Sequence, residues 1–238
     1  GRLRLCVVTI AKYLVPEMLG EFSKLYPGID LAMKVTNRES IIERMNANEY
    51  DLYIMGQVPE ELDVKSYQFA PNPLVVLAPR NHPLVGKKNI KLEEIANEPF
   101  LMREQGSGMR DATFRAFDRK GLRPQVRMEL GSNEAIKHAV VGGLGLSVMS
   151  LHTLVLEGID GPVAVLDVEG FPLMREWYMV YPKSKELSMV SRTFLDFAIE
   201  YESTICERME SLLPAIKNAH KESKISASKK SNSKAKKK

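Results

Sequence analysis

Residues 3–55, LRLCVVTIAKYLVPEMLGEFSKLYPGIDLAMKVTNRESIIERMNANEYDLYIM, decide the fold. Leu3, Leu5 and Val7 alternate and give one strand an apolar face. After Thr9, the residues Leu14, Met18, Phe22 and Leu25 recur at helical spacing until Pro27-Gly28 stops the helix. Leu31, Met33 and Val35 alternate again. A second helix is expected over about 39–48, with Ile41, Ile42 and Met45 inward, before the apolar run Leu52-Tyr53-Ile54-Met55. Strand–helix–strand–helix–strand in this order predicts a parallel sheet with right-handed crossovers.

Outward from this unit, the character changes near Pro71 to Pro79, where a second α/β series begins. Leu74-Val75-Val76-Leu77 and Phe100-Leu101-Met102 read as strands, and Ser107 as the N-cap of a helix ending at Gly121. Val126, Met128 and Leu130 alternate as a strand, and Ser132 or Asn133 caps a helix running to Gly142-Gly143. Two further strands are expected over 146–149 and 163–168. A strand over 177–181 is followed by one long helix carrying Val190, Phe194, Phe197, Tyr201, Ile205, Met209, Leu212 and Ile216 at spacings of three or four. The expected architecture is α/β and two-lobed, with residues 1–74 plus 173–218 in lobe I and 75–172 in lobe II. Two chain crossings make a hinge, and a hinge implies a cleft.

The composition is that of a globular protein, 44% hydrophobic and 27% charged. No apolar run reaches the ~18 residues of a membrane span, no signal peptide opens the chain, and a cytoplasmic protein with no membrane partner is expected. The chain opens on Gly1 rather than Met, so a segment upstream of it is expected. The net charge of +4 is unevenly placed: residues 221–238 hold eight lysines and one glutamate, which leaves the rest mildly acidic. This Lys/Ser-rich segment, 219–238, predicts a disordered tail. It reads as a solubilising extension, with contact to an anionic surface as the alternative.

Support for catalysis is lacking. Cys6 and Cys206 make neither a disulfide framework nor a zinc site, and read as thiols in a reducing compartment. His82, His138, His152 and His220 are not spaced as metal pairs. His82, in a turn, and His220, in the tail, read as solvated, and His138 as half-exposed on a helix. Gly142-Gly143-Leu144-Gly145 follows a helix and precedes a strand, the reverse of a dinucleotide fingerprint, and reads as a helix stop with a tight turn. No metal, cofactor or enzymatic activity is expected.

Polar residues instead gather where strands run into helices. Thr9 with Lys12, then Thr36-Asn37-Arg38, the segment 103–108 with Arg103, Gln105 and Ser107, and Gly131-Ser132-Asn133 all occupy such junctions. In open α/β sheets ligands sit beyond the carboxyl ends of the strands, facing helix N-termini that offer unpaired N–H groups and partial positive charge. Thr9, Lys12, Thr36, Asn37, Arg38, Arg103, Gln105, Ser107, Ser132 and Asn133 are therefore the candidate contacts for a small anion. Helix caps and surface charges are the plainer alternative for each one singly.

Several contiguous stretches also carry a family likeness: Thr9-Ile10-Ala11-Lys12-Tyr13, Asn37-Arg38-Glu39, the motif at 51–56 and His82-Pro83-Leu84. The segments 103–108 and 131–137 and the motif Arg175-Glu176-Trp177-Tyr178 extend it over roughly residues 3 to 200. The chain resembles the effector-binding domain of LysR-type transcription regulators, within them the CbbR-like regulators of Calvin-cycle genes. The resemblance implies a type 2 periplasmic-binding-protein-like fold and an effector in the interlobe cleft. It also implies homodimerisation of these domains, a tetrameric full-length protein, and promoter DNA bound by an N-terminal winged helix-turn-helix that is absent from this chain. The effectors it implies are small anions: a sugar phosphate, phosphoglycolate, 2-oxoglutarate or a reduced nicotinamide dinucleotide. A periplasmic-type solute-binding protein of a transporter is the alternative on the same scaffold.

Overall fold

The computed structural model describes residues 1–214 and 216. Strand β1 (Arg2–Val8) leads through a 3-10 turn (Thr9–Tyr13) into helix α1 (Val15–Leu25); β2 (Asp30–Thr36), α2 (Arg38–Asn46) and β3 (Leu52–Met55) follow. β1 pairs in parallel with both β2 and β3, as two consecutive crossovers require. Its two faces are both covered. Leu3, Leu5 and Val7 pack with Met18 and Phe22 of α1, while Cys6 packs with Ile41, Met45 and Tyr53. Desolvation on that second face pushes the Cys6 thiol up to about 11, so it is a packing group rather than a nucleophile.

β4 (Val64–Pro71), absent from the sequence reading, completes this sheet in the order β2-β1-β3-β10-β4 with β10 (Glu176–Pro182). β10 runs antiparallel to both β3 and β4. From Pro71 the chain passes into the second half through β5 (Leu74–Pro79) and the short α3 (Leu92–Ala96). Then come β6 (Pro99–Arg103), α4 (Gly108–Asp118), β7 (Gln125–Leu130), α5 (Asn133–Val141), β8 (Ser147–Ser150) and β9 (Val163–Leu166). Here β8-β5-β9 form an antiparallel sheet and β6 pairs in parallel with β7. Leu101 N–H to Leu146 O and Leu146 N–H to Pro99 O, both 2.8 Å, join the two pieces. This close passage is why residue 145 is glycine: a Cβ there would lie 2.3 Å from Pro99 O.

The outgoing and returning strands run side by side between the halves. Asn72 N–H donates to Arg175 O at 2.7 Å, and Leu74 and Leu173 exchange both backbone hydrogen bonds at 3.0 and 2.9 Å. The two halves are thus the lobes of a hinged α/β fold. Below the hinge Ser150 Oγ donates to Asn72 Oδ1 at 2.7 Å, and the buried His152 ring bonds Pro71 O through Nε2 at 2.9 Å.

Some sequence expectations change. The long C-terminal helix is two, α6 (Met189–Glu200) and α7 (Glu202–Leu212), with Tyr201 at the bend. The bend lets α6 pack against α1 and β1 as well as β4, while α7 lies chiefly on β4. Leu25 lies on the solvent side at the end of α1, 64% exposed. Val126 and Met128 lie in a strand as expected but are exposed, as is every residue of β7 before Leu130. His138 is exposed rather than half-exposed. His82 is held rather than solvated: its Nδ1 accepts from Leu84 N–H at 3.3 Å and its Nε2 lies 3.4 Å from Glu98. The expected disordered tail, 219–238, and His220 lie outside the described residues. Among the described residues no helix is long and apolar enough to cross a membrane, and no cluster of three or more metal-ligating side chains occurs.

Candidate functional site

A cavity with an empty volume of about 570 Å³, its open mouth included, lies between the lobes. Thr9, Asn37, Arg38 and Gly56 line it from lobe I, Asn72 and Arg175 from the hinge, and Arg103, Ser107 and Met109 from lobe II. The carboxyl ends of β1 and β2 and the N-terminus of α4 converge there, the arrangement expected for open α/β sheets.

Each wall has a local cause. Thr9 Oγ1 donates to Thr36 O at 3.2 Å and ties the ends of β1 and β2 together. Thr36 therefore stands behind the wall rather than in it. Asn37 caps α2, its Oδ1 accepting from Ser40 N–H at 2.9 Å, which leaves its Nδ2 hydrogens for the cavity. Arg38 NH1 donates to Gln57 O at 3.0 Å, and its NH2 reaches the half-exposed Glu61 at 3.7 Å.

Ser107 stands at the N-cap position of α4, but its side chain makes no capping hydrogen bond. Only 7% exposed, its hydroxyl lies at the cavity beside the first N–H groups of α4, which have no acceptor inside the helix. Ser107 thus holds the N-cap position that the sequence predicts, without the side-chain bond a cap usually makes. Gln105 is exposed at the tip of the turn and takes no part in the cavity lining.

The cations differ in whether a carboxylate already serves them. Arg103, 5% exposed, donates from Nε and NH2 to Glu104 at 2.7 and 2.8 Å and from NH1 to Asn133 Oδ1 at 2.7 Å. Its charge is answered within the protein, and the hydrogen bonds from Arg103 hold the Glu104 carboxyl below its ordinary range. Asn133, fully buried, keeps a donor Nδ2 without a partner. Lys12, expected in the cleft, instead donates to Glu134 at 2.7 Å, and Ser132 Oγ donates to the same carboxylate at 3.1 Å while capping α5. Neither Lys12 nor Ser132 lines the cavity.

Arg175 is the group that sequence reasoning quoted in a motif and left without a role. It donates NH2 to Gly56 O at 2.9 Å and NH1 to Gly108 O at 3.1 Å, one carbonyl on each lobe. Those two bonds involve no carboxylate. Burial, then the like charges of Arg115 and Arg38, push its guanidinium down to about 10 from 12.5, a cationic group held at a cost. The signal that could have found it is position: an arginine at the foot of the returning strand has to reach across the hinge.

The family model described as LysR substrate binding domain matches residues 1–203. The chain is 52% identical over 205 residues to the HTH-type transcriptional activator CmpR of Synechocystis, covering 86% of this chain and 67% of that protein. It is 44% identical over 197 residues to the RuBisCO operon transcriptional regulator of Acidithiobacillus ferrooxidans, covering 83% and 64%. Against these curated relatives the chain spans about two thirds of their length. Among solved structures, the Synechocystis CcmR regulatory domain in complex with 2-PG superimposes with a TM-score of 0.81 at 50% identity, covering 85% of this chain and 97% of that one. The effector-binding domain of QuiR in complex with shikimate gives 0.75 at 25% identity, covering 86% and 98%.

Proposed function

The chain belongs to the LysR substrate-binding domain family, and from that premise we propose that it senses a small phosphorylated or carboxylated metabolite for a regulator of carbon-fixation genes. Relatives of this chain are named as transcription regulators rather than enzymes or transport proteins, which favours the sensor reading over a solute carrier. One observation carries the choice of an anion: Arg175 lines the cleft, is largely buried, and hydrogen-bonds two carbonyls with no carboxylate. An anion there gains charge-assisted bonds from Arg175, the Ser107 hydroxyl and the α4 N-terminus together. 2-Phosphoglycolate, the ligand of the CcmR domain, is the leading candidate.

In this proposal Thr9, Asn37, Arg38 and Ser107 contact the ligand alongside Arg175, and Arg103 with Asn133 supports the lobe II wall. Thr36 and Ser132 hold the backbone behind it. Binding favours one spacing of the lobes across crossings near 74/75 and 172/173, and so shifts an existing equilibrium. In the whole cytoplasmic protein this shift passes through homodimer and tetramer contacts to DNA-binding heads. A coupling of about 1–3 kcal/mol changes operator affinity usefully. Calorimetric titration with 2-phosphoglycolate, 2-oxoglutarate, ribulose bisphosphate and NADPH tests the sensor reading. Saturable binding of at least one, at one site per chain, is expected; heat from none of them refutes it.

A further inference from the structure

We propose that Glu134 is a positioning residue for effector binding: from lobe II its carboxylate clamps Lys12 and Tyr13 of lobe I and holds the cleft near its closed spacing before any effector arrives. The inference rests on the cleft being the effector site.

The three groups come from elements far apart in the chain. Lys12 and Tyr13 sit in the 3-10 turn after β1, and Glu134 is the second residue of α5. Lys12 Nζ reaches the carboxylate at 2.7 Å, Tyr13 Oη donates to its Oε1 at 2.6 Å, and Ser132 Oγ adds a third donor at 3.1 Å. Lys12 Nζ also lies 5.3 Å from the Tyr13 ring centroid, so the pair meets Glu134 as one unit. The α5 N-terminus favours the same negative charge. Burial opposes the ionised carboxyl, but the bonds from Lys12 and Tyr13 outweigh it and hold Glu134 at about 2. It stays charged throughout the physiological range.

The clamp also touches the cleft wall. Asn133, next to Glu134, accepts from Arg103 NH1 at 2.7 Å, and Arg103 lines the cavity. Any movement of α5 away from Lys12 therefore moves the support of Arg103. An anion on α5 that ties it to the opposite lobe does, within the chain, what an effector does between the lobes. The ordering cost of closure is then partly met before binding, which raises apparent affinity.

The test uses Glu134→Ala, Glu134→Gln and the swapped pair Lys12→Glu with Glu134→Lys in the full 238-residue chain. Small-angle scattering without effector is expected to give a larger radius of gyration for Glu134→Ala and Glu134→Gln, and a return toward the wild-type value for the swapped pair. Affinity for 2-phosphoglycolate is expected to fall about three- to tenfold in both single variants, the pair being half-exposed. The swap is expected to recover most of that loss, which a residue needed only for local packing does not allow. Unchanged scattering and affinity in the single variants, or failure of the swap to restore either, overturns the clamp. Should Glu134→Ala not fold, Tyr13→Phe removes one donor without changing shape; its expected result is a smaller shift in the same direction, and no shift overturns the proposal. If the wild-type chain binds none of the metabolites, the sensor reading fails, while the scattering arm, which needs no effector, still decides the clamp.

Discussion

Replacing Arg175 with methionine separates binding from folding in a way few buried-arginine substitutions do. Two effects on the effector-free protein oppose each other. A guanidinium held at about 10 instead of 12.5 reflects about 3 kcal/mol of unfavourable burial and like-charge repulsion. Methionine removes that penalty and fills similar space with an unbranched apolar chain. Against it, Gly56 O and Gly108 O each lose a donor, at about 1 kcal/mol apiece. The net change is within about 1–2 kcal/mol, so the melting temperature should move by no more than about 2–8 °C. Affinity should behave differently. An enclosed, charge-assisted bond to an anion contributes about 1.5–3 kcal/mol, so 2-phosphoglycolate should bind about ten- to 150-fold more weakly. Calorimetry and a thermal melt on the same preparation check both numbers. Wild-type affinity in Arg175→Met removes Arg175 from the site; loss of binding together with loss of the folded state refutes the separation argued here.

Ser107→Ala tests the other wall. An N-cap serine usually contributes about 1 kcal/mol to stability, but this one makes no capping bond, so the melt should be unchanged while anion affinity falls about fivefold. Gly145→Ala should lower stability by about 3 kcal/mol, since the new Cβ meets backbone at Pro99 O that cannot swing aside; a melt lowered by less than 2 °C contradicts that packing. His152 is neutral in the fold, because burial lowers it to about 4. The unfolded chain binds the extra proton between about pH 6.5 and 4, so wild-type stability should fall by about 3 kcal/mol as pH drops through that window. His152→Gln should flatten the slope, as followed by urea unfolding at each pH, and an equal slope in both proteins contradicts the assignment.

How far the sequence was legible follows from where the information lies. The parallel β1–α1–β2–α2–β3 unit was visible because apolar residues alternate in β1 and β2, recur at helical spacing in the helices between, and run unbroken through the fully buried β3. β4 was not, because Lys65, Ser66, Tyr67 and Gln68 on this edge strand are all exposed and no apolar alternation survives. The bend at Tyr201 was hidden for the opposite reason: the apolar spacing of three and four continues through it while the helices turn toward different partners. At the cleft, junction residues could be named because strand ends and caps are local signals. Which cations remain available was not legible. Lys12 meets Glu134, 122 positions later, and Arg103 is answered by its neighbour Glu104, whereas Arg175 hydrogen-bonds to carbonyls that the hinge brings to it.

The most direct test of the central claim is a nitrogen-15 NMR titration that follows the Arg175 guanidinium and the Gly108 and Met109 amides as 2-phosphoglycolate is added. All three should shift together along one saturable curve matching the calorimetric affinity, as an anion between the hinge and the α4 N-terminus requires. Shifts confined to exposed cations such as Arg115 and Arg119, with these three signals unmoved, contradict the account.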